Sequence, residues 1–197
     1  PGGNQEFLTL AEMEKKFKLS AVGKTSTIFD EKKMAWLNAC HLKTLSETDY
    51  PQTLCSYVDK VNCLPGGADW AYVEKVALLY KSRIQIFQDL SELAGHCFEG
   101  KVTLKAASCE SLLTGEAKAR MEKLHERLLA VENFQDAARL ESELRELAEA
   151  EHAMAADFIH PARLALTGHT VSPGIFELMK VLGKERVCDR LLAFSRS

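Results

Sequence analysis

Residues 160–177 read His-Pro-Ala-Arg-Leu-Ala-Leu-Thr-Gly-His-Thr-Val-Ser-Pro-Gly-Ile-Phe-Glu, and here residue types and spacing offer a chemistry. Arg163 stands inside a short apolar helical pattern that Thr167 and Gly168 close. Ser172, Pro173 and Gly174 then open a second helix, with Ser172 as expected N-cap and Pro173 at the first helical position. A helix start projects free backbone N–H groups and a positive dipole end. Arg163 adds a planar fork of donors beside it. Such a corner suits the hydrogen-bonding edges of an unstacked nucleobase. It also reads, on residues alone, as an ordinary helix–turn–helix corner with a surface arginine.

Other chemistry finds less support. The phosphate-binding patterns G-x-x-x-x-G-K-[ST] and G-x-G-x-x-G are absent, as is a G-x-S-x-G nucleophile turn. His41, His96, His125, His152, His160 and His169 form no H-E-x-x-H pair. His96 and Cys97 are adjacent, and neighbours on a helix point about 100° apart, which does not make a nucleophile–base pair. The six cysteines (40, 55, 63, 97, 109 and 188) contain no C-x-x-C and read as reduced, core-filling thiols. Glu141, Glu143, Glu146, Glu149 and Glu151 read as a solvated helix face rather than a metal site. No catalytic residue and no metal ligand is expected.

Charge bears on the partner. The net charge of -3 gives no general attraction to nucleic acid. The distribution is uneven: residues 1–105 carry 13 basic and 13 acidic groups, 106–159 carry 6 and 12, and 160–197 carry 6 and 3. A polyanion should therefore meet the tail, where Lys180, Lys184, Arg186 and Arg190 are candidate phosphate contacts. No apolar run is long enough to span a membrane, and no signal segment opens the chain.

The elements that must hold these residues are helical. Thr9 and Glu12 form a capping box for a helix to about Phe17. Asp30 caps Glu31–Lys43, where Met34, Leu37 and His41 share a face beside Trp36. A further helix starts at Ser46 or Asp49 and takes Pro51 into its first turn. Pro65-Gly66-Gly67 marks a boundary. Asp69 caps a helix with Val73, Val76, Ala77 and Tyr80 inward. After Lys81-Ser82-Arg83 a second apolar run (Ile84, Phe87, Leu90, Leu93) keeps helical spacing, with Gly95 and Gly100 ending it. Residues 102–113 carry no decisive pattern. Helices follow over Glu116–Val131, with Ala117, Met121, Leu124 and Leu128 inward, and over Phe134–Ala150. The tail predicts helices over Pro161–Leu166, Gly174–Leu182 and Lys184–Phe194. Nothing alternates at period two, so the expected fold is all-α. The expected divisions are 1–64, 65–130 and 131–197.

Arg163 to Gly168, Ser172 to Leu178 and Val181 to Val187 together resemble the carboxy-terminal signature of bacterial glutamyl-tRNA synthetases. Pro1-Gly2-Gly3, Phe7 to Leu10, Phe17 to Ser20, Phe29-Asp30 and Trp36-Leu37-Asn38 resemble the stretch that follows the catalytic signature loop of that family. Tyr72 through Arg83 to Phe98 resembles its first anticodon-binding helical group. Ala39-Cys40-His41-Leu42 departs from the family's usual Gly-Gln-Tyr/His-Ile.

The resemblance implies an anticodon-binding region of two helical groups, preceded by a stem-contact-like segment over residues 1–64. Arg163 falls on the family's anticodon-reading arginine, and Ser172, Pro173, Gly174 and Ile175 fall on the loop that packs against splayed anticodon bases. Arg83 falls near the first anticodon base. The family's ATP- and magnesium-dependent activation of glutamate belongs to a nucleotide-binding domain whose motifs are absent from this sequence. The implied role is therefore that of an inactive fragment with no cofactor of its own. Its expected partners are glutamate tRNA and its own catalytic domain, in a monomeric, cytoplasmic enzyme. A helical protein-interaction scaffold, or a paralogue that no longer reads an anticodon, are the alternatives.

Overall fold

A computed structural model describes residues 6–23, 28–61, 69–100, 102 and 112–197. Among these there are ten α-helices, two short 3-10 turns and no strand. Local capping explains most starts. In α1 (Leu10–Lys16) the Thr9 side chain accepts from the Glu12 N–H while Glu12 reaches back to the Thr9 N–H. Asp30 caps α2 (Glu31–Thr44) by accepting from the Lys33 N–H. The Ser46 hydroxyl accepts from the Asp49 N–H at 2.9 Å and so starts α3 (Asp49–Val61). Pro51 sits in that first turn, where its missing N–H costs nothing. Asp69, Thr114 and Asp136 cap α4 (Trp70–Tyr80), α6 (Gly115–Leu129) and α7 (Ala137–Ala150). The boundary expected at Pro65-Gly66-Gly67 lies outside the described residues.

The expected helix from Ile84 to Gly95 is shorter. After Tyr80 the chain turns through Lys81–Arg83, and α5 spans only Asp89–Ala94. The cause is the Asp89 carboxylate, which accepts from the N–H groups of Gln85 and Ile86 at 2.7 and 3.0 Å. Gly95 is the C-cap of α5, and a separate 3-10 turn over Gly95–Cys97 follows before Gly100. On α2 the inward positions are Ala39 and Leu42; Met34 and His41 are exposed, and the His41 ring lies 4.7 Å from Phe7.

The second half is closed by α8 (Ala156–Thr167), α9 (Ile175–Leu182) and α10 (Lys184–Ser195). α8 begins five residues earlier than its sequence pattern indicates and takes Pro161 into its interior. α10 lies along α6 and α8, α9 touches α4 and α7, and one continuous apolar core joins them. Tyr50 and Leu54 of α3, Val76 of α4, Leu124 of α6, Leu144 of α7 and Phe158 of α8 are fully or almost fully inaccessible in it. Glu143 departs from the solvated face expected of it. It is buried, paired with Arg127 and Arg139, and the helix that presents it also buries Leu140, Leu144 and Ala148. Its neighbour Glu141 pairs with Arg145 at the surface.

Candidate functional site

The corner predicted at residues 163–175 forms, with its parts used differently. Arg163 is half-buried on α8 and reaches across to the next loop. Its Nη1 donates to the carbonyls of Ser172 and Pro173 at 3.0 and 2.9 Å, and to the Ser172 hydroxyl. Ser172 is therefore not the N-cap: its hydroxyl donates to the Pro173 carbonyl at 2.9 Å. Gly174 takes the cap position and α9 starts at Ile175, which puts Pro173 before the helix. Ser172, Pro173 and Ile175 are buried while Gly174 faces solvent. On the other side of the loop Gly168 adopts φ 73° and donates its N–H to Leu164. This left-handed helix end suits glycine. The Thr167 hydroxyl donates to the Arg163 carbonyl at 2.8 Å and accepts from the His169 N–H. Thr170 and Val171 are left outside, Val171 at 72% exposure.

Arg83 lies near enough for its charge to act on Arg163. It is exposed on the turn after α4, and its N–H is fixed to the Tyr80 carbonyl at 2.8 Å. Burial first, and then the Arg83 charge, hold the Arg163 guanidinium below the usual arginine range. A cation from a distant part of the sequence thus acts on the corner through its charge. Only Nη1 of Arg163 is engaged by the described residues, so its other donors remain for a ligand.

The tail cations are placed inward or against protein. Lys180 pairs with Glu177 at 2.9 Å, and Lys184 donates to the Val131 carbonyl at 2.9 Å. Arg186 donates to the Cys97 carbonyl at 3.1 Å and lies 4.7 Å over the Tyr72 ring. Arg190 corrects the phosphate-contact expectation outright. It is 5% exposed and donates to the carbonyls of Leu166, His96 and Glu99 at 2.6–2.8 Å. It falls on the stripe formed by Val187, Leu191 and Phe194, so its spacing, unlike its charge, marks it as interior.

Beneath the corner lies a buried polar cluster that sequence reasoning did not assemble. The Tyr80 hydroxyl is 3.2 Å from His96 Nε2, and the His96 and His169 rings are 6.2 Å apart. Burial, with Arg190 and His169 nearby, lowers His96 to about 4. Burial pushes the Cys97 thiol up to about 12. His96 is thus neutral and Cys97 protonated at neutral pH, the opposite of an activated pair. No short-range signal in the sequence links residues 80, 96, 169 and 190. Among the described residues no group of three His, Cys, Asp or Glu stands close enough to hold a metal ion.

Residues 50–194 match the family model described as "Anticodon binding domain". The chain is 29% identical over 97% of its length to glutamate–tRNA ligase 2 of Caldicellulosiruptor saccharolyticus. It is 30% identical over 99% of its length to glutamate–tRNA ligase 1 of Syntrophus aciditrophicus. It spans 39% and 41% of those two relatives, so each continues well beyond the match. The fold is similar throughout to 38% of a glutamate tRNA ligase structure from Elizabethkingia meningosepticum, with a TM-score of 0.84 at 22% identity. The helical architecture, the corner and the match over most of its length together mean that the chain belongs to the anticodon-binding domain family.

Proposed function

We propose that this chain is the anticodon-reading part of a glutamate–tRNA ligase and grips the anticodon arm of glutamate tRNA. The Arg163 fork, braced through Nη1 on the Ser172–Pro173 loop and near enough to Arg83 to feel its charge, carries the reading. The free donors of Arg163 meet the edge of a splayed base, and the exposed Thr170 and Val171 flank it. Ser172, Pro173 and Ile175 act by building the loop, and Gly174 lets the base approach the backbone. The ATP- and magnesium-dependent step is assigned to the part of the ligase outside this chain, consistent with relatives more than twice its length. The working form is a monomer in the cytoplasm. No helix among the described residues is long and apolar enough to cross a membrane.

The test is binding to glutamate tRNA and to an anticodon-swapped version at low and moderate salt. Preference for the native anticodon is expected, with affinity falling as salt rises. Arg163→Ala should cost roughly tenfold in affinity for the native tRNA, about 1.4 kcal/mol, and erase most of the preference. Ser172→Ala, which removes only a brace of the loop, should cost less. Equal binding of both tRNAs by the unaltered chain would instead favour a paralogue that keeps the fold without the reading.

A further inference from the structure

The turn that presents Arg83 is anchored by α2 and α3. Before Arg83, Lys81 Nζ donates to the Leu45 carbonyl at 2.5 Å and lies 5.4 Å from the centre of the Tyr50 ring. After it, Asn38 Nδ2 donates to the Gln85 carbonyl at 2.5 Å. Ile84 is buried at 1% exposure, and the Phe87 ring packs 5.6 Å from Tyr50 and 5.5 Å from Tyr57. Residues 84–88 are not helical, so no ladder of backbone bonds fixes this stretch. Asp89 and the start of α5 hold its downstream end, and the bonds from Asn38 and to the Leu45 carbonyl tie it to a part of the chain upstream of the matched family region at 50–194.

We infer that Asn38 and Lys81 are positioning residues for Arg83, so that base reading by the first helical group depends on α2. This rests on the function proposed above. An exposed arginine aims its donors from wherever its backbone is held, and hydrogen-bond readout weakens steeply with misplacement of about 1 Å. The bonds from Lys81 to Leu45 and from Asn38 to Gln85 grip the turn on either side of Arg83, one at the end of α2 and one at its middle. Removing either frees one flank of the turn while the core beneath Ile84 stays packed.

The experiment uses the full chain with Asn38→Asp, which keeps shape but replaces the donor, and Lys81→Met, which keeps the stem over Tyr50. Hydrogen exchange over residues 81–88 is read beside the affinity ratio for glutamate tRNA against a version altered at the first anticodon base. Exchange should quicken in that segment and not in α6 or α10. The affinity ratio should fall roughly three- to fivefold, as one lost hydrogen bond implies. Arg83→Ala should produce the same loss, and adding Asn38→Asp to it should produce no more. Lys81→Arg should restore the ratio. Unchanged exchange in both variants overturns the proposal whatever the tRNA does. Quickened exchange with an unchanged ratio overturns the positioning role, provided Arg83→Ala lowers that ratio. Lack of any preference in the unaltered chain overturns the anticodon reading itself, and the role of Asn38 and Lys81 with it, while the exchange data still report the anchoring. A general loss of stability would lower the folded fraction but leave the ratio unmoved.

Discussion

Arg190→Met is expected to lower the free energy of unfolding by about 3–5 kcal/mol, read as a shift of the urea midpoint at unchanged slope. The guanidinium lies inside the fold and serves three carbonyls, those of Leu166 on α8 and of His96 and Glu99 beyond α5. Methionine fills much of the volume but donates nothing, and leaves the buried Leu166 and His96 carbonyls, with the part-buried Glu99 carbonyl, without their donor. Arg190→Lys should recover only part of the loss, because a single ammonium cannot span acceptors that a planar fork reaches together. Arg186→Met provides the contrast. That residue is exposed and makes one carbonyl bond and one ring contact, so its loss should cost about 1 kcal/mol. Similar small effects from Arg186→Met and Arg190→Met would show that the three carbonyls find water readily and that Arg190 is no keystone.

Acidification should destabilise the protein through His96, next to that arginine. In the unfolded chain His96 titrates near its ordinary 6.5; in the fold burial, Arg190 and His169 lower it to about 4. Between those values the unfolded chain binds a proton that the folded chain refuses. Stability therefore rises with pH across this window, and is lost as pH falls from about 6.5 to about 4. The expected loss is about 2–3 kcal/mol. Carboxylates also titrate near the lower end, so the measurement is a difference: urea midpoints at pH 7 and pH 4.5 for the unaltered chain and for His96→Gln. Glutamine keeps a polar partner for the Tyr80 hydroxyl, 3.2 Å from Nε2, without the titration. The variant should lose less on acidification. Equal losses would sink the assignment to His96.

What could be read in the sequence was local. Thr9, Asp30 and Asp69 announce helix starts because a cap and its target lie within a few residues, and all three cap as their types dictate. The inward faces of α4 and α6 followed from spacing alone. The same rule failed at 84–88, where Ile84, Phe87 and Leu90 keep a helical period but Asp89 takes the N–H groups that a helix would need. Ser172 failed similarly: it satisfies the cap pattern, yet Arg163 and the Pro173 carbonyl compete for its hydroxyl. Charge misled most at the tail. Net positive charge says where a polyanion is met on average, but not that Arg190 is buried and bonded to carbonyls of the protein itself. That use depends on contacts as distant in sequence as His96 and Arg190, which no window along the chain contains. The charge of Arg83 acts on Arg163, both named by resemblance, for the same reason the buried cluster stayed hidden: tertiary packing alone brings these segments near one another.

The seating of α10 along α6 and α8 also bears on how the protein is made. A ribosome delivers α6, α7, α8 and α9 before it delivers α10, so the apolar faces of α6 and α8 must wait, solvent-facing, for a partner still unsynthesised. Met121, Leu124 and Leu128 of α6, and Leu164 and Ala165 of α8, are all buried in the finished fold. A nascent chain halted before Lys184 would present these residues to chaperones and proteases as an unfinished interior, and the carbonyls of His96, Glu99 and Leu166 would still lack Arg190. The interior of the second half is in that sense complete only once α10 has arrived.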